Sequence, residues 1–172
     1  YDLGSSQVVY STLVADLETP VSAMLKIAAE SQYSFLLESV EGGSVRGRYS
    51  IIGLEPDVIW RCHKDIPEIN RKALSNTQTF IRESVGALQS LRQLLKESEI
   101  DLPTNLPPMA AGLVGYMGYD TVRLMENIPD NNPPSLTVPD GLFVRPTIMA
   151  IFDSALDTLT IVTPVRHNAA QN

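Results

Sequence analysis

The sequence is poor in the side chains that cross-link chains or bind metals: it holds one cysteine, Cys62, and two histidines, His63 and His167. A single cysteine excludes an intrachain disulfide and favours a reducing, cytoplasmic setting. Neither histidine has a second ligand at metal-binding spacing, so no metal site is expected. There is no run of 18 apolar residues, and the opening YDLGSSQVVYS lacks the charged and apolar regions of a signal peptide, which leads us to expect a cytosolic protein that does not enter a membrane. Cationic side chains are outnumbered, 13 Lys and Arg against 20 Asp and Glu for a net charge of -7. That balance argues against a nucleic-acid or anionic-membrane surface. Catalytic signatures are missing as well. No GxSxG or HExxH occurs, and Cys62 lies within an apolar strand pattern that favours an inert thiol. Glu38 with Glu41, and Asp153 with Asp157, sit beside turns and read as solvated carboxylates. The chain is therefore expected to be non-catalytic by itself.

What is present is a soluble globular composition, 44% hydrophobic and 19% charged over 172 residues. This suits a single domain spanning 1–172 with a real core. Val8–Val14 reads as a strand. Thr19-Pro20 is an N-cap followed by proline at the first helical position, and Val21, Met24, Leu25 and Ala28 recur at helical spacing to about Ser31. After Gly53, Leu54-Glu55-Pro56-Asp57 is expected to turn the chain into another strand, Val58–Cys62, with Trp60 as a core anchor. Residues 63–79 are polar and weakly patterned, fitting a short strand at Glu68-Ile69 followed by a mobile loop. Val85, Leu88, Leu91 and Leu95 make a leucine-rich stripe that predicts a helix over Ser84–Glu97.

Ala110–Met117 reads as a buried strand of small residues, and Tyr119-Asp120 as the cap of a short helix over Thr121–Glu126. Gly112, Gly115 and Gly118 match neither the dinucleotide fingerprint nor the P-loop, and point to close backbone packing or a bulge. Pro129–Asp140 is a loop by composition. Leu142–Phe152 and Leu159–Val165 form a strand pair around Asp153–Asp157. The fold class is α+β, with antiparallel sheet covered by two main helices. The chain starts at Tyr1 and stops at Asn172 just after a strand-like segment, as a fragment would.

One stretch concentrates polar groups on apolar strands. Phe35–Ser39 ends in Glu38-Ser39, Glu41–Ser44 supplies turn chemistry, and Arg46–Gly53 returns with Tyr49, Ile51 and Ile52, which together predict a β-hairpin. Side chains alternate, so Phe35, Leu37 and Ser39 share one face, and Arg46, Arg48, Ser50 and Ile52 fall together on the return strand. Such a corner fits an ammonium at Glu38 and a hydrogen bond through Ser39, beside leucine and tyrosine walls. An Arg48–Glu38 ion pair closing a sheet edge accounts for the same residues without a ligand.

Leu36-Leu37-Glu38-Ser39 followed by Arg48-Tyr49-Ser50-Ile51-Ile52-Gly53 resembles the N-terminal region of the anthranilate synthase component I family. The likeness continues through Pro107–Gly112, Gly115–Asp120, Val122-Arg123 and Arg145-Pro146-Thr147. The resemblance implies that Leu37, Glu38 and Ser39 line an allosteric pocket for inhibitory L-tryptophan, with Arg48, Tyr49 and Ser50 as support. It also implies that chorismate and magnesium are bound by a C-terminal half absent from this sequence. The whole enzyme would convert chorismate and glutamine to anthranilate, pyruvate and glutamate, with a glutamine amidotransferase subunit or fused domain delivering ammonia. Aminodeoxychorismate synthase component I and a stand-alone amino-acid-binding module are the alternatives.

Overall fold

A computed structural model describes residues 6–28, 31–40, 46–107, 109–129, 131 and 137–166. It is sheet-rich. Among the described residues, strands β1 (Gln7–Val14), β2 (Phe35–Val40), β3 (Arg46–His63), β4 (Ile66–Asn70), β5 (Ile81–Arg82), β6 (Val114–Met117), β7 (Gly141–Asp153) and β8 (Thr158–Val165) are joined by two α-helices, α1 (Pro20–Ile27) and α2 (Ala87–Glu97), and a 3-10 turn at Tyr119–Leu124. Hydrogen-bonded neighbours run β1-β8-β7-β3-β4-β5, with β2 pairing β3 and β6 pairing β7. The chain divides into two compact units, Tyr1–Asp57 with Ile100–Gly112 and Pro146–Asn172, and Val58–Glu99 with Leu113–Arg145.

In the first unit, β1 pairs with β8 from Gln7↔Val165 to Val14↔Thr158, and β8 pairs with β7. Thr19 caps α1 as expected, accepting the Ser22 N–H while Ser22 Oγ accepts the Thr19 N–H. Reciprocal caps of this kind stabilise a helix start by about 1 kcal/mol. The helix is shorter than its periodicity predicts, and Val21 and Leu25 are exposed; Ala23, Ala28 and part of Met24 meet the core instead. Those small side chains pack with Ile52, Leu54, Ala150 and Phe152. A second cluster, Ile51, Met149, Ile151 and Val162, is closed by Leu102, Leu106 and Ala110 from an irregular segment. In this unit α1 thus packs on one cluster of sheet residues and a proline-rich strap on the other.

The second unit is built around Trp60, which is fully buried with Val58, Cys62, Ile69, Ala87, Leu91 and Leu94. Helix α2 begins at Ala87, three residues later than the leucine stripe predicts, and buries Ala87, Ser90, Leu91 and Leu94 while Leu95 is exposed. Its N-cap, Gly86, has no side chain, and Asp65 Oδ1 accepts the Ala87 N–H at 2.7 Å in its place. A carboxylate there also suits the positive end of the helix dipole. Gly115 lies so close to β7 that a Cβ would overlap the Leu142 carbonyl, the tight backbone packing its glycine spacing implies.

Several local expectations need correction. Glu55 does not reverse the chain: it sits with a φ of 48° inside one uninterrupted 18-residue strand, and Thr147 Oγ1 donates to its carbonyl at 2.7 Å. A left-handed residue inside a strand thus imitated a turn signature. The strand at Glu68-Ile69 is longer, and the loop after it is fastened by Asn70, which donates to the Asn76 carbonyl and accepts the Lys72 N–H. Strand β6 covers only the last four residues of Ala110–Met117, with Gly115 and Tyr116 exposed. The helix after it is a 3-10 turn capped at Gly118.

Candidate functional site

The predicted hairpin forms, with Phe35↔Gly53, Leu36↔Ile52, Leu37↔Ile51 and Glu38↔Ser50 opposite one another and a register shift between Glu38 and Val40. Directly opposed residues share a face. Leu36 and Ile52 therefore join the cluster beneath α1, whereas Phe35 and Ile51 join the cluster beneath the strap. Gly53 has no Cβ because the Phe35 ring occupies that space. At this end the hairpin is core.

At the other end it opens to solvent. Leu37, Glu38 and Ser39 are exposed, Tyr49 and Ser50 half-buried. Ser39 sits at the register shift, opposite the extra residues that β3 carries between Arg46 and Ser50, where the ladder is locally disrupted. Its Oγ lies where a Cβ of Gly47 would be, so the missing side chain of Gly47 makes room for Ser39. The turn Glu41–Ser44, the Arg46 side chain and His167 fall outside the described residues.

Arg48 does not pair with Glu38. Its Nε and Nη2 donate to Asp153 at 2.8 to 3.1 Å, a two-pronged contact, and its guanidinium carbon lies 4.9 Å from the Tyr49 ring centre. The reason is topological: β3 and β7 are neighbours, and β7 ends at Asp153. Asp153 is consequently buried and paired, not a solvated turn carboxylate. The Arg48 hydrogen bonds hold its pKa below the usual carboxylate range, helped by the Ala155 N–H and opposed by burial. Ser154 continues the contact, donating its N–H to the Arg48 carbonyl at 2.9 Å and directing its hydroxyl to the Gly47 and Arg48 carbonyls at 3.2 and 3.1 Å. Gly47, Asp153 and Ser154 were missed by sequence reasoning; a partner 105 residues away leaves no local spacing to find.

Among the described residues no group of three or more His, Cys, Asp or Glu stands together as a metal would require, and no helix is long and apolar enough to cross a membrane. Cys62 is fully buried, and burial, followed by the charge of Asp140, pushes its thiol up to about 11.

No protein-family model matches the chain. Among individual proteins, it is 48% identical over 161 residues to anthranilate synthase component 1 of Cereibacter sphaeroides, a match covering 94% of this chain and 32% of that protein. Anthranilate synthase component 1 of Thermus thermophilus is 38% identical over 157 residues, covering 90% of this chain and 31% of its own length. The crystal structure of anthranilate synthase component I from Streptococcus pneumoniae aligns with a TM-score of 0.51 at 18% identity, over 90% of this chain and 30% of that one, a likeness of fold. The chain spans about a third of the length of the curated relatives it matches. On this identity across nearly its whole length, the chain belongs to the anthranilate synthase component 1 family.

Proposed function

We propose that this chain is the N-terminal, tryptophan-sensing region of an anthranilate synthase component I, and that the exposed Leu37-Glu38-Ser39 end of the hairpin is its share of the inhibitor site. The observation that carries the reading is the opening of this one strand end, with a carboxylate, a hydroxyl and Leu37 exposed together on strands whose other end is packed core. Glu38 suits the ammonium of an amino acid, Ser39 its polar backbone, and Leu37 with Tyr49 the apolar ring. Arg48 supports the corner from behind, through Asp153, and Ser50 lies opposite Glu38.

The rest of the enzyme, beyond the third represented here, would bind chorismate and magnesium and receive ammonia from a glutamine amidotransferase, forming anthranilate and pyruvate in the cytoplasm. Feedback control then follows from differential affinity. Tryptophan inhibits if it binds an inactive arrangement of the sensing region and the catalytic half better than the active one, since a ligand of equal affinity for both shifts nothing. The relatives' shared name favours anthranilate over aminodeoxychorismate as the product.

The test is anthranilate fluorescence from the full-length enzyme given chorismate, magnesium and ammonia, with and without tryptophan. Anthranilate formation should fall on adding tryptophan, and Ser39→Phe, which fills the corner with a ring, should make the remaining activity indifferent to it. Wild-type enzyme that ignores tryptophan, or a Ser39→Phe enzyme that stays as sensitive as wild type, would sink the assignment.

A further inference from the structure

Of the corner that would hold the inhibitor, Leu37 and Glu38 are held by their ladder partners Ile51 and Ser50, and Ser39 is not. Between Glu38 and Val40 the strand β2 has only Ser39, whereas β3 has Gly47, Arg48 and Tyr49 between the partners Arg46 and Ser50, so the bulge lies on β3 and the place of Ser39 depends on how that bulged segment is held. That segment includes Gly47, against which the Ser39 hydroxyl rests, and its neighbour Arg48. Gly47 and Arg48 are in turn gripped from the far side by the turn between β7 and β8. Asp153 takes the Arg48 side chain with two oxygens, and the Ser154 hydroxyl lies 3.2 Å from the Gly47 carbonyl and 3.1 Å from the Arg48 carbonyl, with the Ser154 N–H on the latter. One turn therefore fixes both the side chain and the backbone of the segment on which Ser39 lies.

We propose that Asp153 and Ser154 are positioning residues for the inhibitor site: by clasping Gly47 and Arg48 they set where Ser39 stands, and so how tightly the corner holds tryptophan. The proposal rests on the reading of the corner given above. Neither residue touches the ligand. Their effect passes through Gly47, where a Cβ would collide with Ser39, and Asp153 also engages the Arg48 guanidinium, leaving the Glu38 carboxylate for an ammonium.

Full-length enzyme carrying Ser154→Ala, Ser154→Thr, Asp153→Asn or Gly47→Ala tests it. The readout is the tryptophan concentration that halves each variant's own uninhibited rate, with thermal unfolding in the absence of tryptophan recorded alongside. Losing one hydrogen bond that orders a binding group weakens binding by about three- to tenfold, so Ser154→Ala should raise the half-inhibitory concentration by that factor. Ser154→Thr keeps the hydroxyl and should stay within about twofold of wild type, a rescue that general destabilisation does not provide. Gly47→Ala should cost more than Ser154→Ala, because it displaces Ser39 outright. If Asp153→Asn unfolds the enzyme, the serine pair still decides. Inhibition unchanged in Ser154→Ala while Ser39→Phe abolishes it would overturn the clasp and leave the tryptophan corner standing. Equal losses in Ser154→Ala and Ser154→Thr would also overturn it. A wild-type enzyme that ignores tryptophan removes the corner and the clasp together.

Discussion

The indole N–H of Trp60 donates to Ser90 Oγ at 2.6 Å, with both residues out of contact with solvent, and the Ser90 hydroxyl in turn donates a hydrogen bond to the Glu83 carboxylate. A strand and the first helix turns facing it are thereby joined by a polar contact inside an apolar cluster. Ser90→Ala leaves the indole donor buried and unpaired, which costs about 1–3 kcal/mol. Trp60 is the only tryptophan in the sequence, so its emission reports the unfolding directly. Denaturant titration should show the midpoint fall at an unchanged slope, and Trp60→Phe, followed by far-ultraviolet circular dichroism because it removes the emitter, should lose much of its cost in the Ser90→Ala background.

The parts of the fold that were legible in the sequence are those written in neighbouring residues. Thr19-Pro20 marks a helix start because capping involves residues three apart, and Trp60 within Val58–Cys62 marks a core strand because five consecutive residues carry the signal. The stripe on α2 was legible as a helix and placed Leu91 in the core, but not its edges, since Ala87, Ser90 and Leu94 turn inward and Leu95 outward only once a neighbour exists to bury them. Glu55 misled because a left-handed residue flanked by proline has the composition of a turn while the strand continues through it. Within the candidate site, Leu37, Glu38 and Ser39 were legible as a polar break in an apolar run. Their support was not, because Asp153 and Ser154 reach Gly47 and Arg48 only through the adjacency of β3 and β7, which no local spacing encodes.

Cys62 should be inert while the chain is folded. It is fully buried, and its thiol is pushed up to about 11 by burial and, secondarily, by the Asp140 carboxylate, against the Gly141 N–H that favours the thiolate. The thiolate is the reacting form, so at about pH 8 only about one thiol in a thousand would be reactive even with access. Alkylation by iodoacetamide should therefore proceed no faster than unfolding exposes the side chain, and should become rapid in denaturant. Prompt modification of the native chain would show that the cluster around Trp60 opens without global unfolding.

The Arg48–Asp153 contact should appear in the pH dependence of stability. Asp153 has its pKa lowered in the folded chain, first by the Arg48 hydrogen bonds and then by the Ala155 N–H, so the folded state binds its proton less readily than the unfolded state does. The stabilisation from this carboxylate is therefore present above the ordinary carboxylate range and is lost as pH falls through the lowered folded value. Arg48 stays cationic throughout and contributes no titration of its own in this range. Asp153→Asn removes the charge at every pH. The variant should be less stable than wild type at neutral pH, and the two should converge as the solution is acidified below the carboxylate range. Unfolding free energies measured from about pH 7 to about pH 3 at fixed ionic strength check this. A gap between variant and wild type that stays constant across that range would mean the contact contributes through its shape and not through the charge of Asp153.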